Sequence, residues 1–463
     1  MMGKVKKNLL RVILIGLLYG PEASILKSQP IDAVPDLTAG VQTFQVDLPT
    51  VLKLAGADNL TIQEFKTRQD LAILEEKVAR EWLFPELFLG VSLHDLNGSA
   101  MNSDGKFFRE VDRNELWAGA GIGLNWIPGE GIYQTLAAKQ HRLASGHLLQ
   151  ARKNEAILNA ILVFYDLQEK QAEFQTQVSL LNYTDRISKQ MKIQVDHGQL
   201  YRSEYLLARS NYNNTLVALQ EVIKDVHRLS AELMELLNIE DEEILLLSSV
   251  SDVVPVELLD EQMIALGLYD SAYSRRPELR YHQTLIEARK FERQRLTRGL
   301  LIPQLSLTLT DGAVGPFSGV PNNDPTEFTG RYENTLDINA MVGWSIPLDL
   351  LISGGQRKKV DALIQLQQNH HDQQKNLIRK QVSQAFNEYR ESKNQLRIAR
   401  ESAEFVEEAL KQSTERQKLG TAKPFEVFQA QEIYLKTTIS YQNVVSNYNK
   451  SQYRLYVAMG NDL

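Results

Sequence analysis

The sequence predicts a mainly α chain with a small β part, built from a duplicated unit. Three observations predict it: self-similarity at a fixed offset, two very long helical stretches, and four short segments of alternating apolar residues. At an offset of 222, Phe164 matches Phe386, Glu169 matches Glu391, and Lys189-Gln190 match Lys411-Gln412. Further along, Gly198 matches Gly420, Glu204 matches Glu426, Ala208 matches Ala430, and Tyr212 matches Tyr434. The register needs no gap from Phe164 to Asn238. Such a period is far longer than a solenoid repeat, so the repeating object is a large unit.

The N-terminus comes first. Lys4, Lys6, Lys7 and Arg11 precede an apolar stretch, Val12 to Gly20, that is too short to span a bilayer. This reads as a secretory leader over 1–23, followed by an N-terminal segment over 24–58. Each unit then has the order helix, strand, strand, long helix, helix. The first unit spans 59–238, an inter-repeat linker 239–271, and the second unit 272–460. Opening helices are expected at about 60–83 and 277–299, each ending before a proline, Pro85 and Pro303.

Strands are expected at about 86–94, 115–126, 304–311 and 335–346. Leu87, Leu89, Val91 and Leu93 share one face of the first; Leu305, Leu307 and Leu309 share one face of the third. Lengths near ten residues fit tilted transmembrane strands and equally fit a half-buried soluble sheet. Four strands do not close a barrel, because the smallest outer-membrane barrels have about eight. A lipid-embedded sheet of four would leave bare edges, so that reading requires several copies, and three copies give twelve strands.

The long helices are expected at about 131–196 and 355–418. In the second, Ile378, Val382, Ala385, Tyr389, Ser392, Leu396, Ala399, Ala403, Val406 and Leu410 advance by alternating fours and threes. That is the 3.5-residue period of a coiled-coil seam, and this helix would be ~96 Å long at 1.5 Å per residue. Each long helix stops at a glycine, Gly198 or Gly420, and a final helix of about 35 residues returns.

Composition excludes several functions. The net charge of −7 lacks the basic balance of a nucleic-acid binder. The absence of cysteine removes thiol catalysis, iron–sulfur clusters, thiolate zinc sites and acylation of an N-terminal cysteine. His370-His371-Asp372 lacks the spacing that puts metal ligands on one helix face, and no phosphate loop, zincin motif or nucleophile elbow is present.

Several stretches together resemble the TolC family of outer-membrane efflux proteins. These are AYSRRPEL at 272–279, LIPQLSL at 301–307, WSIPLDLLISGGQRKKV at 344–360 and KLGTAKPFEVFQAQEIY at 418–434. The likeness covers most of residues 45–460. It departs at 59–62, Asn-Leu-Thr-Ile, where the family has a proline. The resemblance implies a homotrimer with a twelve-stranded barrel in the outer membrane and a coiled-coil tunnel through the periplasm. It implies a passive exit duct for small molecules or proteins, contacting outer-membrane lipid and joined by a periplasmic adaptor to an inner-membrane transporter. It implies no cofactor and no catalysis. Residues 95–114 and 311–335 would be cell-surface loops, and Trp117, Trp126 and Trp344 fit an aromatic girdle or ordinary packing equally.

On this likeness the helix breaks are the periplasmic tip. Gly198, Gln199, Leu200, Leu419, Gly420, Thr421 and Pro424 form the turns and the expected adaptor contact. Glu426 occupies the family's gate-carboxylate position, Glu204 is its counterpart, and Gln429 stands where some relatives have a second acid. The alternative for both glutamates is simple complementarity to a helix N-terminus. The tip lacks the arginine and tyrosine that relatives use as a latch. The alternative for the whole chain is a non-conducting periplasmic or surface coiled-coil scaffold.

Overall fold

The computed structural model describes residues 37, 42–57, 59–101, 104–239, 244–249, 253–259, 267–315, 333–348, 352, 354–419, 421 and 424–463. The leader at 1–23, most of the segment before residue 42, residues 316–332 and Gly420 lie outside the described residues. All the elements named below belong to one unit, residues 40–463.

β1 (Gln42–Val46) and α1 (Leu48–Ala57) precede the first unit, which opens with α2 (Leu60–Val78). It continues through β2 (Glu86–Met101), β3 (Phe107–Trp126), α3 (Pro128–Asp196) and α4 (Arg202–Leu237). Then come β4 (Ile244–Ser248), α5 (Leu268–Arg275) and α6 (Pro277–Arg295). The second unit closes with β5 (Gln304–Gly315), β6 (Glu333–Gly343), α7 (Gly355–Lys418) and α8 (Pro424–Ala458). One-turn 3-10 helices at Glu81–Leu83 and Gly299–Leu301 link the opening helices to their sheets.

The duplication is geometric. α3 ends at 196 and α7 at 418; α4 begins at 202 and α8 at 424, all at the offset of 222 read from sequence. Upstream the offset is 217, since α2 starts at 60 and α6 at 277. The missing proline of the first unit has a substitute. Asn59 caps α2, its side-chain oxygen accepting from the Thr61 and Ile62 amides, whereas α6 begins with Pro277.

The four long strands form one antiparallel sheet in the order β2-β3-β5-β6. Its register aligns the separate alternations into one face. Leu87 stands opposite Ile122, Ile122 opposite Leu309, and Leu309 opposite Ile338. The other face carries Phe88, Gly121, Thr310 and Asp337. Leu87, Leu89, Val91 and Leu93 are 61–83% exposed, so a soluble core does not cover this face. An exposed apolar face of this extent marks a surface meant for lipid or a partner.

The strands overrun the expected lengths. β2 has 16 residues and β3 has 20, where about 9–11 cross a bilayer. The surface loop expected over 95–114 is therefore mostly strand, and only 102–106 separate the two strands. The reason is pairing: His94 to Met101 and Phe107 to Glu115 continue the hairpin past the end of β5, with an irregularity at Gly98/Ala100. Among the described residues β5 pairs with β3 as far as Gly315 opposite Leu116.

Helices lie side by side as staves. Near the sheet, α2 touches α3, α3 touches α6, and α6 touches α7. Away from the sheet, α4 touches α3, α3 touches α8, and α8 touches α7. Thus α3 and α7 run the full length, while α2 stands on the end of α4 and α6 on the end of α8. The junctions are bonded alike: Asn59 donates to the Leu236 carbonyl (2.8 Å) and Arg276 donates to the Val457 carbonyl (3.2 Å). All ten seam residues of α7 from Ile378 to Leu410 are buried or half-buried.

Two elements were outside sequence expectation. β1 and β4 pair in parallel, Gln42 with Ile244 through Val46 with Ser248. Residues 253–259, within the expected linker, are strapped to α8 by side chains. The Val256 amide donates to Asn449, the Leu258 amide to Gln452, and Asn449 donates to the Val254 carbonyl. Buried amide side chains here replace a neighbouring strand.

Candidate functional site

The far ends of the staves carry the expected tip residues, and backbone chemistry makes the first turn. At the end of α3 the Gly198 amide bonds the Val195 carbonyl (2.9 Å) and the Gln199 amide bonds the Gln194 carbonyl (2.8 Å). Gly198 has φ +71°, the left-handed conformation this motif requires and a side chain resists. The second tip repeats the long bond: the Thr421 amide reaches the Arg416 carbonyl (2.9 Å).

Gln199 and Thr421 are exposed and Leu200 is half-buried. Leu419 and Tyr201 are exposed apolar groups. Pro424 is the first residue of α8. Glu204 and Glu426 lie in the first turns of α4 and α8, both exposed, and Gln429 lies one turn on, also exposed.

The two carboxylates differ in one contact that sequence reasoning missed. Arg416 Nη2 lies 3.7 Å from Glu426 Oε2. The equivalent of Arg416 in the first unit is Gln194, which carries no charge. The pair bridges the turn between two helices, so only the repeat alignment, reading 416 against 194, held a signal for it. Just behind the tip, Tyr183 of α3 meets Phe428 of α8 edge-on at 5.8 Å, tying these helices together.

At mid-height α3 and α8 share a buried ionic cluster. Lys450 contacts Asp166 and lies 3.6 Å from Glu169, with the Lys450 and Glu169 side chains 8% and 12% exposed. Burial pushes the Glu169 carboxyl up, and Lys450 offsets only part of that rise. Nearer the sheet, Glu76 of α2 receives Arg142 Nε of α3 at 2.5 Å and also contacts Arg80. Burial pushes Glu76 up, but these hydrogen bonds and charges outweigh it and hold the carboxyl below its ordinary value.

The sheet joins the helices through two equivalent tryptophans. Trp126 Nε1 donates to the Leu83 carbonyl (3.1 Å) and Trp344 Nε1 to the Leu301 carbonyl (3.3 Å). Both indoles bond the 3-10 turn that leads into the neighbouring strand. Where α3 begins, Gly129 and Gly299 touch backbone to backbone; a Cβ on Gly129 would stand 1.9 Å from the Gly299 oxygen.

His370 is brought near His282 of α6, with ring centroids 6.4 Å apart, and Gln367 bonds His282 at 2.8 Å. Among the described residues no group of His, Cys, Asp or Glu has metal-binding geometry, and no helix is long and apolar enough to cross a membrane.

Comparison with known proteins agrees with this architecture. Residues 268–461 match the outer membrane efflux protein family. No curated protein matches the chain. Among solved structures, a membrane protein from Pseudomonas aeruginosa superposes with a TM-score of 0.70 at 14% identity, covering 92% of each chain. The open-state Neisseria gonorrhoeae MtrE outer membrane channel gives 0.68 at 14% identity, covering 89% of each. The Campylobacter jejuni CmeC outer membrane channel gives 0.66 at 16% identity, covering 89% of this chain and 85% of that one. These identities speak for the fold, and the family match covers the second unit. Together they show that the chain has the fold of outer membrane channel proteins and that its second unit is similar to the outer membrane efflux protein family.

Proposed function

We propose that three copies of this chain form a passive exit duct whose periplasmic tip gates the passage of cargo from an inner-membrane transporter. The observation that carries this reading is the single, continuous, exposed apolar face of a sheet that has four strands among the described residues. Such a sheet has two open edges, which lipid does not tolerate, and twelve strands from three copies would close them. The staves α2, α3, α6 and α7 from each copy would then ring a tunnel. A coiled-coil scaffold has no use for the apolar sheet.

In this reading 1–23 is a removed leader, and units 59–238 and 272–460, joined by 239–271, are the two halves of each subunit. The tip turns at Gly198–Leu200 and Leu419–Thr421 with Pro424 meet the periplasmic adaptor. Glu204 and Glu426 surround the constriction with Gln429 beside them, attracting cations through their field. The energy comes from the transporter, and cargo is small molecules or proteins chosen upstream.

Channel recordings of the double variant Glu204→Ala, Glu426→Ala test the tip assignment. A clear rise in conductance or a loss of cation preference is expected. Recordings identical to the parent would remove both glutamates from the gate.

A further inference from the structure

Two aromatic side chains of the sheet lie on the side away from its apolar face. Trp126 stands opposite Leu305, with the apolar residues. Trp117 stands opposite Ser92 and Val314, on the face of Phe88 and Gly121. Around these two rings the face is largely glycine. Gly90, Gly119 and Gly312 form one row across β2, β3 and β5, and Gly121 and Gly123 follow on β3. The rings lie over these glycines. A Cβ on Gly119 would stand 2.8 Å from Trp117 Cζ2, one on Gly312 2.7 Å from Trp117 Nε1, and one on Gly90 3.6 Å from Trp117 Cζ3. The indole therefore reaches over three strands. A Cβ on Gly121 would stand 2.4 Å from the Phe88 ring, and one on Gly123 3.8 Å. Gly119 and Gly121 are about 7 Å apart along β3, so the two rings make one ledge. Both side chains are half-buried, floored by glycine with part of each ring left accessible.

The charge around the ledge has one sign. Residues 86–93, 116–126, 304–315 and 333–343, which make the four-stranded region, contain no lysine, arginine or histidine. Their acids are Glu86, Asp311, Glu333 and Asp337. Asp311 falls on the apolar face, opposite Ala120 and Leu336, and the other three fall on the face of the rings. Asp337 ends the row of Phe88, Gly121 and Thr310, and Glu333 ends the row of Trp117 and Val314. Both carboxylates are exposed. Asp337 is two strands from Gly121 and Glu333 two strands from Trp117, roughly 10 Å in each case. The face of an aromatic ring is itself electron-rich and attracts cations. Rings and carboxylates therefore favour the same kind of guest, and an anion finds no basic partner on these strands.

We propose that this ledge is a binding site for planar organic cations passing through the barrel. This rests on the duct proposed above, in which lipid takes the apolar face and the ledge lines the lumen. It adds a class of cargo and the side chains that hold it. The flat side of the guest stacks on Trp117 and Phe88, and its positive charge lies toward Asp337 and Glu333. The glycines keep the rings against the wall, so the passage stays open beside them. Stacking on an open wall gives a fast-exchanging site, favourable enough to enter and weak enough to leave.

Ethidium, a planar cation, is the probe, and 1-pyrenesulfonate, a planar anion, is its control. Each is titrated with the full-length trimer in nonionic detergent, and binding is read from fluorescence anisotropy against empty micelles. Saturable ethidium binding is expected, weakened about tenfold in Trp117→Leu with Phe88→Leu, the scale of stacking plus cation–π attraction. Trp117→Phe, which keeps a flat ring, should retain most of the affinity. Asp337→Asn with Glu333→Gln should weaken ethidium several-fold at low salt and leave it unchanged at about 1 M salt, where charges are screened within ~3 Å. Ethidium affinity equal in the parent and the double-leucine variant overturns the ledge, since rings that only shield glycine backbone would not move it. Pyrenesulfonate bound as tightly as ethidium overturns the charge assignment and with it the cation site. If the double-leucine variant does not assemble, the carboxamide variant decides, because it leaves rings and glycines in place; ethidium affinity unchanged there at low salt overturns the proposal. A parent trimer with no saturable ethidium binding overturns the ledge and leaves the duct standing. A parent that runs as a monomer in chromatography overturns the duct and the ledge together.

Discussion

Glu76 shows what single residues contribute. It is a carboxylate buried between staves, held ionised by Arg142 and Arg80. Its lowered pKa means the stabilisation is present above the unfolded value, roughly 4.3 for glutamate, and is lost as pH falls through the folded value. Arg142→Met should cost on the order of 2 kcal/mol at pH 7, the scale of hydrogen bonds to charged groups. Denaturant titrations of variant and parent should converge as pH falls below about 4. Glu169 behaves oppositely. Its carboxyl is raised, so its folding contribution is full in acid and lost as pH rises through the folded value. Glu169→Gln should therefore raise the melting temperature at pH 8 more than at pH 5; the reverse order would contradict the assigned burial. At the tip, Arg416 offsets the charge of Glu426 while Glu204 faces no equivalent arginine. Glu204→Gln should reduce cation preference more than Glu426→Gln, and Arg416→Gln should increase it, as read from reversal potentials in a salt gradient.

At the scale of elements, Gly198 is a position where backbone geometry dictates the residue. Gly198→Ala forces a Cβ into a left-handed turn and should cost about 1–2 kcal/mol in thermal unfolding. Much of this level was legible in the sequence. The α7 seam from Ile378 to Leu410 was readable because a 3.5-residue period is local information. The strand faces were readable for the same reason, and their merging into one face follows once the register is known. Three features were not readable. β1 pairs with β4, two segments about 200 residues apart in the chain, and no local pattern announces such a partner. The ribbon over 94–101 and 107–115 is polar and lacks clean alternation, so it reads as a loop until pairing extends it. The strap at 253–259 depends on Asn449 and Gln452, which in a helix read as solvated polar residues.

For the whole molecule, the duplication is the organising fact. It explains why two tryptophans bond two 3-10 turns, why two helices stand end to end on two others, and why both long helices turn at the same offset. It also exposes what one copy leaves open among the described residues: a four-stranded sheet with an exposed apolar face. At the tip, Arg416 stands beside Glu426, and its counterpart in the first unit is the uncharged Gln194. That difference lies between helices rather than along one, which is why periodicity did not reveal it.

A membrane-spanning duct must pass ions from one side of a lipid bilayer to the other. The direct measurement is current through the purified mature protein in a planar lipid bilayer. Discrete, cation-favouring steps from a detergent-stable trimer are predicted, and they should change when Glu204 is neutralised. Failure of the trimer to insert, leaving the bilayer silent and the protein in solution, would contradict the duct and return the chain to a scaffold.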